Sequence, residues 1–204
     1  MTADELVKIH LELECVRVDT DYFMCPIECP DPDTLFRFYM TRYDGGYTRY
    51  YRHNLAPRIY EQLRDLPAEE AFSRVEVVKN ALALDSPCEE MHEGKSYIFP
   101  NTITPLDYPD VEFSEAAACI VRDGEIVSSC QSSRENASAA EAWVFTHPDY
   151  RGRGYARQVT MAWGHRLQKQ SKIPFYSHHR TNLASEAVAR SLRMIQYITD
   201  VGYV

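Results

Sequence analysis

No apolar run in this sequence approaches the roughly 18 residues needed to cross a bilayer. The N-terminal stretch holds Asp4, Glu5, Glu12, Glu14 and Asp19, which argues against a secretory leader, so the chain is expected in the cytosol and off the membrane. Basic residues are in deficit, with 22 Lys and Arg against 30 Asp and Glu and a net charge of −8. Phosphate neutralisation needs a basic face, so nucleic acid is not the expected partner. Matched cysteine pairs are missing as well. Of six cysteines, at 15, 25, 29, 88, 119 and 130, only Cys25 and Cys29 are close. Zinc usually takes four ligands in paired spacing, so no metal is expected and the thiols read as reduced and mostly buried. Neither an internal repeat nor a low-complexity tract occurs. What is present is 45% hydrophobic and 25% charged residues over 204 positions, enough for a packed core through most of the length.

Periodicity then divides the chain. Ile9, Leu11, Leu13 and Cys15 alternate with polar residues, a period of two that predicts a strand. Residues 25–33 form a proline-rich loop. Phe36 to Arg42 and Tyr47 to Arg52 flank Asp44-Gly45-Gly46, the pattern of a β-hairpin. A helix is predicted from Pro57, with Ile59, Leu63 and Leu66 on one face. A second, after Pro67, carries Phe72, Val75, Val78 and Leu82. Residues 85–113 hold four prolines and read mostly as loop.

Beyond residue 114 the pattern sharpens. Ala116 to Val121 and Glu125 to Ser129 pair across Arg122-Asp123-Gly124. Glu141 to Thr146 is a strand, 154–170 a helix, Ile173 to His178 a strand and Leu183 to Met194 a helix. The stripe of that last helix is Ala184, Ala187, Val188, Ser191 and Leu192, and a final strand covers Ile195 to Tyr203.

The informative segment joins a strand to an amphipathic helix through Tyr150-Arg151-Gly152-Arg153-Gly154-Tyr155-Ala156. Such a turn aims free backbone N–H groups and the helix dipole outward, a site suited to a diphosphate. Glycines allow close backbone approach, and Arg151, Arg153 and Arg157 add positive charge. A P-loop is excluded because no G-x-x-x-x-G-K-[ST] run exists. The dinucleotide fingerprint fails because Arg157 stands at its third glycine and no acidic ribose partner follows in Pro174 to Ser177.

The stretch from Val144 to Ala156 resembles the acetyl-CoA motif of the GNAT acetyltransferase superfamily, [Q/R]-x-x-G-x-[G/A], here Arg151, Gly154 and Ala156. Asn182-Leu183-Ala184-Ser185 at a helix start resembles the superfamily's second signature. The resemblance covers 114–204 and implies an α/β (α+β) fold: a GNAT-like mixed, mostly antiparallel, twisted sheet flanked by helices. Residues 96–204 would then form the acetyl-CoA-binding core and 1–95 an α/β lobe or extension, acting as substrate lid, dimer surface or plain packing. The implied cosubstrate is acetyl-CoA, contacted by Val144, Phe145, Thr146, Arg151, Gly152, Arg153, Gly154, Tyr155, Ala156, Asn182 and Ser185. Two departures stand out. The superfamily's helix tyrosine corresponds to Ala189, and the usual glycine and phenylalanine after that helix to Arg193 and Met194.

The implied chemistry is attack of a primary amine, expected on a small molecule, on the acetyl thioester within a ternary complex. An alkylammonium has a pKa of roughly 10 and must lose a proton first, so a base is needed. Glu141 is the first candidate, and His178 and His179 follow; adjacent strand residues face opposite sides, so one of the two histidines at most faces the site. The resemblance places the oxyanion donor among the backbone N–H groups of Val144, Phe145 and Thr146. Tyr176, Ser177 and Tyr203 are candidate proton donors to the thiolate, and His147 before Pro148 reads as a turn residue. Asn182 and Ser185 also suit a helix N-cap and its N3 position. Two alternatives stand beside the enzyme of small amines: a peptide or protein N-acetyltransferase, and a GNAT-fold module that binds coenzyme A without turnover.

Overall fold

A computed structural model of the chain describes residues 1–14, 16–27, 35–88, 90–100 and 108–204. The first element corrects the sequence reading. Ala3–Leu13 is a helix, α1, where alternation had predicted a strand from Ile9. A capping box starts it: the Thr2 hydroxyl accepts from the Glu5 N–H at 3.2 Å and the Glu5 carboxylate accepts from the Thr2 N–H at 2.7 Å. Leu6, Val7, Leu11 and Leu13 are its buried residues.

Next come strands β1 (Val16–Val18), β2 (Phe23–Pro26), β3 (Phe38–Tyr43) and β4 (Gly46–Arg52). Helices α2 (Pro57–Asp65), α3 (Ala68–Ser73) and α4 (Val75–Leu82) lead to β5 (Met91–Ile98). The rest of the chain is β6 (Glu112–Phe113), β7 (Ala117–Arg122), β8 (Glu125–Glu135), β9 (Ala139–Thr146), α5 (Tyr155–Lys169), β10 (Ile173–His179), α6 (Leu183–Ser191) and β11 (Ile195–Tyr203). Chain contacts divide these into two compact units, residues 1–95 with 197–204, and residues 96–196.

In the first unit the strands run in the order β1, β2, β4, β3, β11, antiparallel except for the β2–β4 pair. The predicted hairpin is β3–β4, closed with Tyr43 opposite Gly46. Pro57 opens α2 as its first-turn proline, and Ile59 and Leu63 are fully buried. The predicted second helix is two, broken at Arg74 (φ −105°, ψ 80°). On a continuous helix Phe72 and Val78 would point about 120° apart; the break lets both enter a core that includes Phe38, Met40, Leu82 and Tyr203. Strand β5 is a second correction, since 85–113 had read as loop. Within that stretch, residues 101–107 lie outside the described residues. So do most of the proline-rich loop (28–33) and the thiols of Cys15 and Cys29. Cys88, Cys119 and Cys130 are buried and Cys25 half-buried, all four as free thiols.

The second unit orders its strands β10, β9, β8, β7, β6, with β9–β10 parallel and the others antiparallel. The β7–β8 hairpin turns at Asp123 (φ 53°) and Gly124 (φ 83°), both left-handed as a tight two-residue turn requires. Helix α5 packs Val159, Ala162, Trp163 and Leu167 against Ala118, Ile120, Cys130 and Ala140. The α6 stripe is shifted from the expected one. Ala189 and Leu192 are buried and Val188 packs beside them, while Ala184 and Ala187 are exposed. Alanine suits either environment and reports the helix face poorly. The overall architecture is the expected mixed, mostly antiparallel sheet flanked by helices. Among the described residues no helix is long and apolar enough to cross a membrane.

Candidate active site

Strands β9 and β10 pair for three residues only, from Ala139 opposite Ile173 to Glu141 opposite Phe175. Both strands continue past that point, β9 to Thr146 and β10 to His179. At the end of the ladder the Glu141 carboxylate replaces the missing backbone partner. One of its oxygens accepts from the Ser177 N–H and from the Ser177 hydroxyl, each at 2.8 Å. Glu141 is 5% exposed, so the candidate base is a buried carboxylate, held by the neighbouring strand.

Beyond Glu141, the other side of β9 is occupied by β8 through to Thr146 opposite Ser128. The His147 N–H donates to Val127 at 2.9 Å, and the Phe145 carbonyl accepts from Ser128 Oγ at 3.0 Å. Backbone groups alternate in direction along an antiparallel strand, so Trp143 and Phe145 turn their N–H groups toward β8 and Val144 and Thr146 turn theirs away. The Thr146 carbonyl bears this out, accepting instead from Arg151 Nε at 3.3 Å. Of the three backbone donors named from the sequence, Val144 and Thr146 therefore aim at the gap after the ladder.

After β9 the chain makes a short 3-10 turn, Pro148–Tyr150, where His147 Nδ1 accepts from the Asp149 N–H; this is the predicted turn role. Gly152 (φ 74°) and Gly154 (φ 78°) then take left-handed conformations, and the space where a Cβ would stand is open at both. Glycine adopts this conformation without the Cβ–carbonyl clash of other residues. Gly154 is the N-cap of α5, which begins with no side chain bonded to its first N–H groups and no acidic residue in its first turn. Arg151 and Arg153 are exposed beside it, Arg153 lying 4.9 Å over the Tyr150 ring and donating to the Asp149 carbonyl. Tyr150 and Tyr155 stack with centroids 6.5 Å apart. An uncapped N-terminus of a 15-residue helix, open glycines and nearby guanidinium groups fit a diphosphate.

Residues 114–197 match the sequence model of the GNAT acetyltransferase family. They belong to that family. A GNAT-family acetyltransferase of Colwellia psychrerythraea superposes with a TM-score of 0.51 at 10% identity, over 92% of this chain and 79% of its own. Another, of Novosphingobium aromaticivorans, gives 0.48 at 14% identity over 57% of this chain, which spans 65% of that protein. The Colwellia likeness establishes the fold. No curated protein shows significant sequence similarity to the chain.

Within the GNAT domain the remaining predicted residues separate. His178 is buried: its ring stacks on Tyr97 (5.4 Å, 19°), Nε2 lies 3.3 Å from the Tyr97 hydroxyl and Nδ1 lies 2.9 Å from the His179 carbonyl. His179 is exposed on the other face, the face of Ser177, with Nδ1 2.9 Å from Thr181 Oγ1. Asn182 caps α6 by accepting from the Ser185 N–H at 3.1 Å. Tyr176 donates to the Ser185 carbonyl at 3.3 Å, and burial pushes its pKa up to about 12. Tyr203 lies in the core of the first unit.

Tyr97 was missed because it stands in the segment read as loop. Its aromatic neighbours are far away in sequence, so no local spacing announces it. Burial, and then the charge of Glu186, raise its pKa. A cavity of about 460 Å³ lined by Glu115, Gln131, Glu135, Arg166 and Gln170 lies elsewhere. Arg166 is roughly 18 Å along α5 from Gly154, given 1.5 Å per residue.

Proposed function

We propose that the chain is an acetyl-CoA-dependent N-acetyltransferase that acetylates the primary amine of a small molecule. The observation that carries this reading is the buried Glu141 carboxylate at the end of the β9–β10 ladder, one strand segment ahead of an uncapped helix turn. A carboxylate at that position can take a proton from an incoming ammonium, and the turn supplies an anion site for the cosubstrate's diphosphate.

Acetyl-CoA supplies the thioester. Backbone groups of residues 152–156, with Arg151 and Arg153, would hold its diphosphate, and the N-terminal region of α6 around Asn182 and Ser185 would lie along the rest. Glu141 accepts one proton from the ammonium and releases it to solvent. The amine lone pair then attacks the carbonyl carbon, forming the C–N bond. The N–H groups of Val144 and Thr146 bind the oxyanion. On collapse the C–S bond breaks, and the second nitrogen-bound proton passes through Glu141 and the Ser177 hydroxyl, 2.8 Å away, to the departing sulfur. His179 shares that face and is assigned an auxiliary part in proton movement. His178, packed on Tyr97, positions the end of β10.

A second reading has one observation in its favour. Ala189, at the superfamily's tyrosine position, is 1% exposed and presents no hydroxyl, which suits a domain that binds coenzyme A without turnover. Release of free thiol from acetyl-CoA over a panel of primary amines separates the two. Steady, amine-dependent release is the expected result. Binding of acetyl-CoA with no release from any amine establishes the second reading. Gly154→Glu, which puts bulk and negative charge into the anion site, should abolish the thermal stabilisation that saturating acetyl-CoA gives the unaltered chain.

A further inference from the structure

Strand β7 starts at Ala117, opposite Gln131, while β8 runs on to Glu135. Residues 132–135 therefore have no β7 partner, and the cavity of about 460 Å³ opens beside them, with the buried Leu167 of α5 in its lining. That volume lies within the range of small-molecule sites. Its most constrained group is Glu135, held through both oxygens: Oε1 accepts from Lys172 Nζ and Oε2 from Ser132 Oγ, each at 2.5 Å. Ser132 Oγ accepts in turn from Nε1 of the fully buried Trp163 at 3.2 Å, which anchors this side of the cavity in the core. Glu115 stands in the short link between β6 and β7, where the Ser114 N–H donates to the Ala117 carbonyl at 2.9 Å. Arg166 donates from Nη1 to the Ser114 carbonyl at 3.3 Å, with its guanidinium 5.6 Å over the Phe113 ring. The charges are unevenly matched. Lys172 neutralises Glu135. Glu115 and Arg166 line the same cavity with opposite charge, yet among the described residues neither forms an ion pair, with the other or with any third group.

We propose that this cavity is a second ligand site, one that takes a free α-amino acid with its ammonium on Glu115 and its carboxylate on Arg166. The Gln170 amide, also in the lining, is placed to bond a polar side chain. A zwitterion answers one charge of each sign. A polyanion such as the cosubstrate's diphosphate would meet two carboxylates here, and a simple amine would leave Arg166 unanswered. An α-amino acid carries both charges on one carbon, the most compact bridge between the two groups. Arg166 is roughly 18 Å along α5 from Gly154, so the site is separate from the candidate active site and does not depend on the acetyltransferase reading.

L-Glutamine, whose side-chain amide suits Gln170, is the probe, titrated calorimetrically into the full chain without acetyl-CoA. Saturable binding at one site is expected. Two analogues each lack one charge: 4-aminobutanamide has no carboxylate and glutaramic acid has no ammonium. Each should bind at least about 10-fold more weakly, the loss of one charge-assisted hydrogen bond. The variants should show a crossed pattern. Glu115→Gln should weaken L-glutamine about 10-fold and leave glutaramic acid unaffected, while Arg166→Gln should weaken L-glutamine equally and leave 4-aminobutanamide unaffected. Glu115 is exposed, so its variant should keep the melting midpoint of the unaltered chain, which guards against a folding defect. Absence of saturable binding overturns the proposal, as does equal binding of the three compounds. Binding of L-glutamine that neither variant weakens places the amino acid elsewhere on the chain and overturns it too.

Discussion

Replacing Arg193 with glycine should stabilise the protein. Helix α6 ends with Leu192 as its C-cap, and Arg193 follows at φ +51°. The Arg193 N–H donates to the Arg190 carbonyl and the Met194 N–H to the Ala189 carbonyl, both at 3.0 Å, the two bonds of a Schellman ending. That motif requires the left-handed conformation, which costs a residue with a Cβ about 1–2 kcal/mol. Glycine removes this cost but gives back about 0.5–1 kcal/mol as extra freedom in the unfolded chain. The net gain lies between about 0 and 1.5 kcal/mol and centres near about 0.75 kcal/mol, or roughly 1.5–3 °C in melting midpoint for a chain of this size. Because the side chain is exposed, its loss adds little. Arg193→Ala is the control, since alanine keeps the Cβ and the strain. Urea unfolding should give a higher midpoint with unchanged slope for glycine and no gain for alanine. Equal stability of the two variants would refute the reasoning and place the cost elsewhere than at this φ.

Three further outcomes follow from the same geometry. Glu141→Gln keeps an acceptor for the Ser177 N–H and hydroxyl, so fold and acetyl-CoA affinity should persist while kcat falls about 10²- to 10⁴-fold; an unchanged kcat removes Glu141 from the mechanism. Gly164→Ala puts a methyl against the Phe99 ring, which packs beside Trp163; overpacking of about 1–3 kcal/mol should outweigh the about 1 kcal/mol of helix propensity gained, so the urea midpoint should drop. His92 is bonded to the buried Asp200 carboxylate at 3.1 Å, which raises its pKa against an opposing desolvation. The stabilisation is therefore complete below the unfolded value near 6.5 and is lost as pH rises through the higher folded value. The side chain is 44% exposed, so the effect should stay under about 1 kcal/mol; NMR titration of the His92 ring should give a midpoint above 6.5, and His92→Gln should flatten this part of the pH–stability curve.

The sequence was most legible where a local rule left one solution. The β3–β4 and β7–β8 hairpins followed from their turn residues, and α5 from a glycine turn ahead of a periodic run. It misled where period and capping conflicted. Leu11 and Leu13 alternate like strand residues, yet the Thr2–Glu5 capping box starts a helix whose buried face includes Leu6 and Val7. Strand β5 was hidden by His92, Glu93 and Lys95, residues that read as solvent-facing loop. The pairing of His92 with Asp200 joins residues 108 positions apart, beyond any local window. At the candidate site, Glu141 could be named from its place before the turn, but its bond to Ser177 could not. The run from Ala142 to Phe145 looks uniformly apolar, so nothing in it distinguishes the packed Val144 from the exposed Trp143 and Phe145.

The departures at α6 make sense together under the proposed mechanism. Ala189, where the superfamily carries a helix tyrosine, is buried in the core cluster that also holds Tyr97 and Tyr176. A tyrosine at 189 would need room that this buried position does not offer without repacking. Proton traffic then falls to β9 and β10, where Glu141 and Ser177 already share a hydrogen bond. Helix α6 keeps its N-terminal task, the Asn182 cap, and loses the catalytic one. With no hydroxyl to aim from the helix, its C-terminal end needs only to close, and the two Schellman bonds close it even with arginine at φ +51°. Under the proposed mechanism, α6 would serve binding geometry through its N-terminal cap while the chemistry would sit on β9 and β10.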